Sequence, residues 1–174
     1  MQAKLVNQQA VLTFNLVEGR LLRQVLQTVR EHYRLKPSEL EGAIGAVWYS
    51  TQGCRKARMT PEETAEWVEA LHAVKLSHLH LLDQALEQLH NPQDGKPVIR
   101  LRYEDVPTFL TIINDHRLLS AARGEIGEQE MNLRSFRTIN RLPPPKQAAL
   151  YEVHLLAYVM EQLLHLLEEP SAEH

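Results

Sequence analysis

Two ionisable residues, Arg117 and Glu152, sit where the surrounding sequence is apolar. At about 100° per residue, a helix through "VPTFLTIINDHRLLSAARG" puts Val106, Phe109, Leu110, Ile113 and Ala121 on one arc with Arg117 in its middle. A helix through "ALYEVHLLAYVMEQLLHLL" surrounds Glu152 with Leu155, Leu156, Val159, Leu163 and Leu166. An isolated charge in an apolar interior is costly, so the two are expected to meet as a structural ion pair, with Asn114 and Tyr151 satisfying leftover polar groups. Arginine suits the role because its planar fork grips a carboxylate through parallel hydrogen bonds and keeps its proton. Asp115 and His116 point away from that arc and read as boundary or surface groups. The enzymatic alternative uses the same Asn114, Arg117 and Glu152 junction, with Glu152 moving a proton and Arg117 holding an anion. No catalytic residue is assigned, and an enzyme is the less favoured reading.

Other reactive types are scattered. Among the nine histidines, the pair in "HLH" at 78–80 diverges by about 200° on a helix. His154, Tyr158, Glu161 and His165 share a face, but no "HExxH" or paired-cysteine motif accompanies them. A solvated or docked polar face is preferred there, with no metal and no cofactor. Lys75 and His78 turn toward the apolar side of their helix, the lysine expected to snorkel its ammonium to water. Cys54, the single cysteine, lies in "GCRKAR", where Arg55, Lys56 and Arg58 would favour a thiolate. With no histidine beside it as a base, redox sensing is the alternative to a basic loop with an incidental thiol. Arg20, Arg23, Arg30 and Arg34 form a stripe on the polar side of the first helix, suited to an acidic partner or to phosphates. No aromatic platform or nucleic-acid motif joins it, so nucleic acid is the less favoured partner. A glycine-rich phosphate loop and a "GxSxG" elbow are both missing.

Helices must position nearly all of these groups. "AVLTF" at 10–14 and "VIRLRY" at 98–103 read as strands that pair with each other. Asn15 caps the first helix, 15–35, with Glu18 as its reciprocal partner. A second helix spans 38–50, and "TQGCRKARM" follows as a loop around Gly53. "TPEE" at 60–63 opens the longest helix, 61–90, which "NPQDGKP" terminates. Asp105 caps a helix over 106–123 that ends at Gly124 as a left-handed terminator. The stretch 125–145 is irregular with one short helix, and a last helix covers 146–168.

The chain is expected to be a single domain, 1–174, mainly α, with five to six helices and a small two-stranded antiparallel sheet. Its 174 residues suffice for a core without metal or disulfide staples. Nineteen basic and twenty-two acidic residues give a net charge of -3, no general attraction for nucleic acid. The amino terminus lacks a signal-peptide pattern and no apolar run reaches about 18 residues, so no membrane association and a cytoplasmic location are expected.

"FLTIINDHRLLSAARGEI" and "ALYEVHLLAYVMEQLLHLL" resemble the bacterial domain-of-unknown-function family numbered 2017, and "LTFNLVEGRLLRQVLQTV" is similar to its first strand and helix. The resemblance implies a small, largely helical cytoplasmic protein with no established reaction, encoded in actinobacteria near a protease adaptor. The cysteine pair of some relatives has no counterpart, because Cys54 stands alone. The expected function is therefore non-catalytic: a regulatory or adaptor-like protein that binds an unidentified protein partner, or a second copy of itself through the long or last helix.

Overall fold

A computed structural model describes residues 1–92, 95–133 and 135–168, with the side chain of Phe136 left aside. The chain opens with strands β1 (Gln2–Val6) and β2 (Gln9–Thr13), joined at Asn7 and Gln8, both at positive φ (48° and 59°). Two successive left-handed residues make the hairpin turn whose twist matches the strands. Helix α1 (Leu16–Arg34) follows. A 3₁₀ turn (Pro37–Glu39) leads to α2 (Gly42–Trp48), a short α3 (Gln52–Lys56), α4 (Pro61–Ser77) and α5 (Leu79–His90). Strand β3 (Val98–Arg102) precedes α6 (Val106–Arg123), the short α7 (Glu128–Met131) and α8 (Phe136–Ile139), and the long α9 (Pro144–Glu168).

The expected mainly helical class is correct, but the described residues form more than the expected five to six helices, the one expected over 38–50 shrinking to α2 after a 3₁₀ turn, and the sheet has three strands, in the order β1-β2-β3. The anticipated pairing of 10–14 with 98–103 is present and antiparallel, with Ala10 opposite Leu101 and Leu12 opposite Ile99. These residues turn one face of the sheet into a core shared with α1, α5, α6 and α9, where Leu22, Leu26, Leu82, Phe109, Ile113, Leu156 and Leu163 are fully buried. A smaller cluster of Ala121, Ile126, Ile139, Leu150 and Val153 closes the far end of α6 against α9. On the outer side of β3, the Gln88 side chain accepts from Arg100 N–H at 2.7 Å and donates to its carbonyl at 3.3 Å, imitating another strand.

Two capping expectations hold in atomic detail. Asn15 accepts from the amides of Val17 and Glu18 while Glu18 accepts from Asn15 N–H, and Thr60 and Glu63 repeat the arrangement on α4. Other expectations fail for local reasons. The helix expected over 61–90 breaks at His78, which ends α4 and begins α5. Residues 52–56 coil into α3, burying Cys54 where an open basic loop was expected. Asp105 makes no capping hydrogen bond, because its carboxylate grips Arg102 at 2.7 and 3.1 Å. Gly124 is not left-handed (φ −81°), and the positive φ falls on Glu125 (48°) instead.

Gly124 is required by proximity instead, since a Cβ there would collide with Ala149 on α9. Gly19 plays a similar part, its missing Cβ leaving room for Pro97, whose side chain would stand 2.5 Å away. Gly124→Ala should therefore lower stability by about 1–3 kcal/mol in urea unfolding. Gly53→Ala, at a helical site with nothing within 4 Å, should leave stability unchanged or slightly raised.

Candidate functional site

The ends of α1, α2 and α4 converge on the middle of α6, and the residues that meet there are Tyr33, Trp48, Lys75 and Asp115. Lys75 is 8% exposed and is the one buried residue of α4. It does not snorkel. Its ammonium donates to Asp115 Oδ2 and stands 5.2 Å from the ring centroids of both Tyr33 and Trp48 and 5.8 Å from that of Tyr49. The same carboxylate oxygen accepts from the Tyr33 hydroxyl at 2.6 Å, and the Asp115 carbonyl accepts from Trp48 Nε1–H at 2.8 Å. Tyr33 and Trp48 pack edge to face at 5.2 Å, with His32 edge-on to Trp48 at 5.9 Å. One aspartate thus organises a cation, a phenol and an indole, and the cation–ring attractions add to the ion pair.

This environment shifts the surrounding groups in understandable directions. Burial, then the Asp115 charge, pushes the Tyr49 phenol up to about 12. Tyr33 moves upward for the same two reasons and through its hydrogen bond to Asp115. Burial, then Lys75, lowers His78, whose ring lies 6.2 Å from that of Tyr33. The Tyr49 hydroxyl, His72 Nε2 and His78 Nδ1 are buried without hydrogen-bond partners among the described residues.

Glu152 does turn toward α6, as expected, but the residue it meets is not Arg117. Its Oε2 lies 3.2 Å from His116 Nε2 and accepts from the Ser120 hydroxyl. Arg117 is half-buried and forms no ion pair among the described residues. The buried arc of α6 runs through Phe109, Ile112, Ile113, His116, Leu119 and Ser120, one position back from the arc inferred from the sequence. His116, only 4% exposed, is therefore a core residue and not a boundary group, while Asp115 does lie at the boundary, half-buried, and is the hub of the other cluster. Burial would raise Glu152, but hydrogen bonds from His116 and Ser120 and the charges of His116 and Arg123 outweigh it and hold the carboxyl below its ordinary value. Tyr151 donates to Asn140 at 3.1 Å, and Asn114 is half-buried beside Asp115.

The remaining candidates are dispersed. The arginine stripe divides: Arg30 Nε lies 2.6 Å from Asp83 on α5, off the hydrogen-bond axis, and Arg34 lies 3.9 Å from the same carboxylate. Arg20 and Arg23 instead line a small cleft with Leu89, His90 and Pro97. His154 faces the Met131 carbonyl at 3.3 Å, and His165 lies 3.8 Å from Glu168. Among the described residues no three histidine, cysteine or acidic side chains converge as a metal site would require. No helix of the described residues is long and apolar enough to cross a membrane.

The family described as Domain of unknown function (DUF2017) matches residues 61–167. The chain belongs to the DUF2017 family. The matched span runs from the start of α4 to the end of α9, so it contains Lys75, Asp115, His116, Ser120 and Glu152. Tyr33, Trp48 and Tyr49 lie before it, as does the amino-terminal stretch whose likeness was noted from sequence. No match was found among curated proteins or among solved structures.

Only part of this site was readable beforehand. Lys75 on the apolar side of a helix was a signal that a carboxylate had to come to it, because a buried ammonium needs a partner. Periodicity does place Tyr33 and Trp48 on the inward faces of their helices, where they are buried, but that marks them as core and not as parts of a site, and Tyr49 carries no such signal. Asp115→Asn should cost about 3–5 kcal/mol by stranding Lys75, whereas Lys75→Met combined with Asp115→Asn should cost less than Asp115→Asn alone in urea unfolding.

Acid should weaken the fold in two stages. Burial, assisted by Arg123 for His32 and by Lys75 for His78, holds both rings below the ordinary 6.5. The unfolded chain therefore takes up protons first, and stability falls as pH drops below about 6.5. Glu152, with its folded value lowered, contributes stability above the unfolded 4.5 that disappears as pH falls through the folded value. Urea midpoints measured from pH 8 to 3 should decline in both windows, and Glu152→Gln should shrink the lower one, which Glu130 shares, while leaving the upper one unchanged.

Proposed function

We infer that the chain is a non-catalytic, adaptor-like regulatory protein of the bacterial cytoplasm that binds a basic amphipathic protein segment along α4. The observation that supports this is the state of α4 itself. Over seventeen residues it buries one side chain, Lys75, while Val74 and Leu76 remain 51% and 40% exposed. Between α4 and the Pro37–Ser38 turn runs an open groove of about 730 Å³ whose apolar lining includes Pro37, Pro61, Val68, Ala73 and Leu76. Surface helices of this length ordinarily bury an apolar stripe, and α4 leaves much of its own outside.

Charge selects the occupant. Glu62, Glu63, Glu66 and Glu69 are all exposed on α4, Glu69 in the groove wall, with Lys36 the basic residue opposite. A helix or extended segment with apolar anchors and lysines or arginines complements that pattern, in the manner of helix-in-groove recognition. Catalysis has less to stand on. Asp115 and Glu152, the acids with the most elaborate surroundings, spend their hydrogen bonds on Lys75, Tyr33, His116 and Ser120.

A displayed-peptide library supplies the test. Selected binders should be enriched in lysine and arginine interleaved with apolar residues. Their affinity should fall at least tenfold with Val68→Glu or Glu69→Lys and stay the same with Arg20→Glu and Arg23→Glu. Binders indifferent to the groove substitutions would overturn the reading. A concentration-dependent dimer in sedimentation that Val68→Glu abolishes would reassign the groove to a second copy of the chain.

A further inference from the structure

The groups around Lys75 form an enclosure that α4 fills but did not build. Tyr33 comes from α1, Trp48 and Tyr49 from the end of α2, and Asp115 from α6. They hold one another without help from α4: Tyr33 through its 2.6 Å hydrogen bond to the Asp115 carboxylate, Trp48 through its 2.8 Å hydrogen bond to the Asp115 carbonyl, and the two rings through their edge-to-face packing. Aromatic faces around a cation, completed by a carboxylate, are the means by which proteins recognise alkylammonium groups. We propose that Tyr33, Trp48, Tyr49 and Asp115 form a binding site for a primary alkylammonium, that Lys75 occupies it in cis, and that a lysine side chain of a bound segment exchanges with Lys75.

Three observations carry the exchange. Lys75 is the only residue of α4 in the fully buried interior, Val68 and Leu71 packing half-buried against the core further up the helix, and the helix ends three residues later at the His78 break, so withdrawal of Lys75 need displace only the last turn. One side chain, His72, stands between the groove and the site: it lines the groove and is edge-on to Tyr49 at 6.4 Å. Along that route His72 Nε2 and the Tyr49 hydroxyl are buried with no hydrogen-bond partner among the described residues, which leaves polar capacity for an entering group. An emptied enclosure would hold an unpaired buried carboxylate, so the replacement must itself be a cation. Only the source of that cation, a segment lying in the groove, rests on the function proposed above.

Chemical rescue tests the site directly. In Lys75→Ala, with Trp67→Phe so that Trp48 reports alone, n-butylammonium should saturate a change in Trp48 fluorescence and raise the melting temperature by several degrees. Equal concentrations of n-butanol should do neither, and adding Asp115→Asn should weaken the amine effect at least tenfold. Wild type should respond only at much higher amine concentrations, because the seated Lys75 competes intramolecularly for the same carboxylate. Should Lys75→Ala be unfolded in buffer, the same titration is followed as recovery of far-ultraviolet circular dichroism. Rescue by butanol equal to that by the amine, or rescue by neither, would overturn the proposal. The source is tested on wild type with groove-binding peptides: norleucine in place of each lysine should cost one of them tenfold or more, and affinity unchanged at every position would refute the exchange. Rescue needs no peptide, so failure of the groove reading and failure of the site are separable.

Discussion

A lysine withdrawn from water needs a counter-charge, and Asp115 supplies it. The carboxylate binds Lys75 and Tyr33, while the carbonyl of the same residue binds Trp48. One residue of α6 thereby fixes the last turns of α1, α2 and α4. Each of these attachments leans on the others. The phenol lowers the cost of burying the carboxylate, the carboxylate that of the ammonium, and the rings shield the pair from solvent. Apolar packing explains why α6 lies against α9 and α1. It explains less of the position of α4, whose Val68 and Leu71 pack against the core only half-buried and whose one buried side chain is Lys75.

Helix α6 is polar on two sides. Asp115 faces the aromatic enclosure, and the next residue, His116, turns toward Glu152 on α9, joined one turn later by Ser120. Apolar residues fill the remaining directions: Phe109, Ile112, Ile113 and Leu119 are all fully buried. A helix buried this widely has no single apolar direction for the sequence to announce. Choosing Phe109, Ile113 and Ala121 as the stripe puts Arg117 at its centre; admitting Ile112 and Leu119 moves the centre to His116. The misassigned ion pair follows from that step of one residue.

What was legible followed local physics. The Asn15 and Thr60 caps, the start of α6 and the β2–β3 pairing each depend on residues close in sequence or on plain alternation. What was not legible depended on tertiary meetings. Strand β1 carries only Ala3 and Leu5 on its inner positions and turns through Asn-Gln instead of the familiar Asn-Gly, so neither end of the hairpin signalled itself. The break at His78 falls within an apolar pattern that continues across it. Gly124 had the right residue type for a left-handed terminator but serves the close approach of Ala149, which no local rule reveals. At the candidate site the sequence put Lys75 on the apolar side of its helix, but the expected snorkelling hid its need for an acid, and which acid would meet it is settled only by the tertiary fold.

An enclosure filled from within changes how binding energy would be used. A partner's ammonium entering it does not gain a new set of cation–ring contacts; it inherits those of Lys75 and gives back what α4 loses. Net affinity then arises from the difference between the two occupants plus the apolar contacts made in the groove. Specificity benefits more than strength, because a segment lacking the amine would have to leave Asp115 unpaired or remain outside. Such an exchange also couples occupancy to the position of α4, since both cations compete for one carboxylate oxygen. Because Lys75 is the one buried side chain of α4, while Val68 and Leu71 pack half-buried on the core further up the helix, an exchange at Asp115 would act first on the last turn of α4.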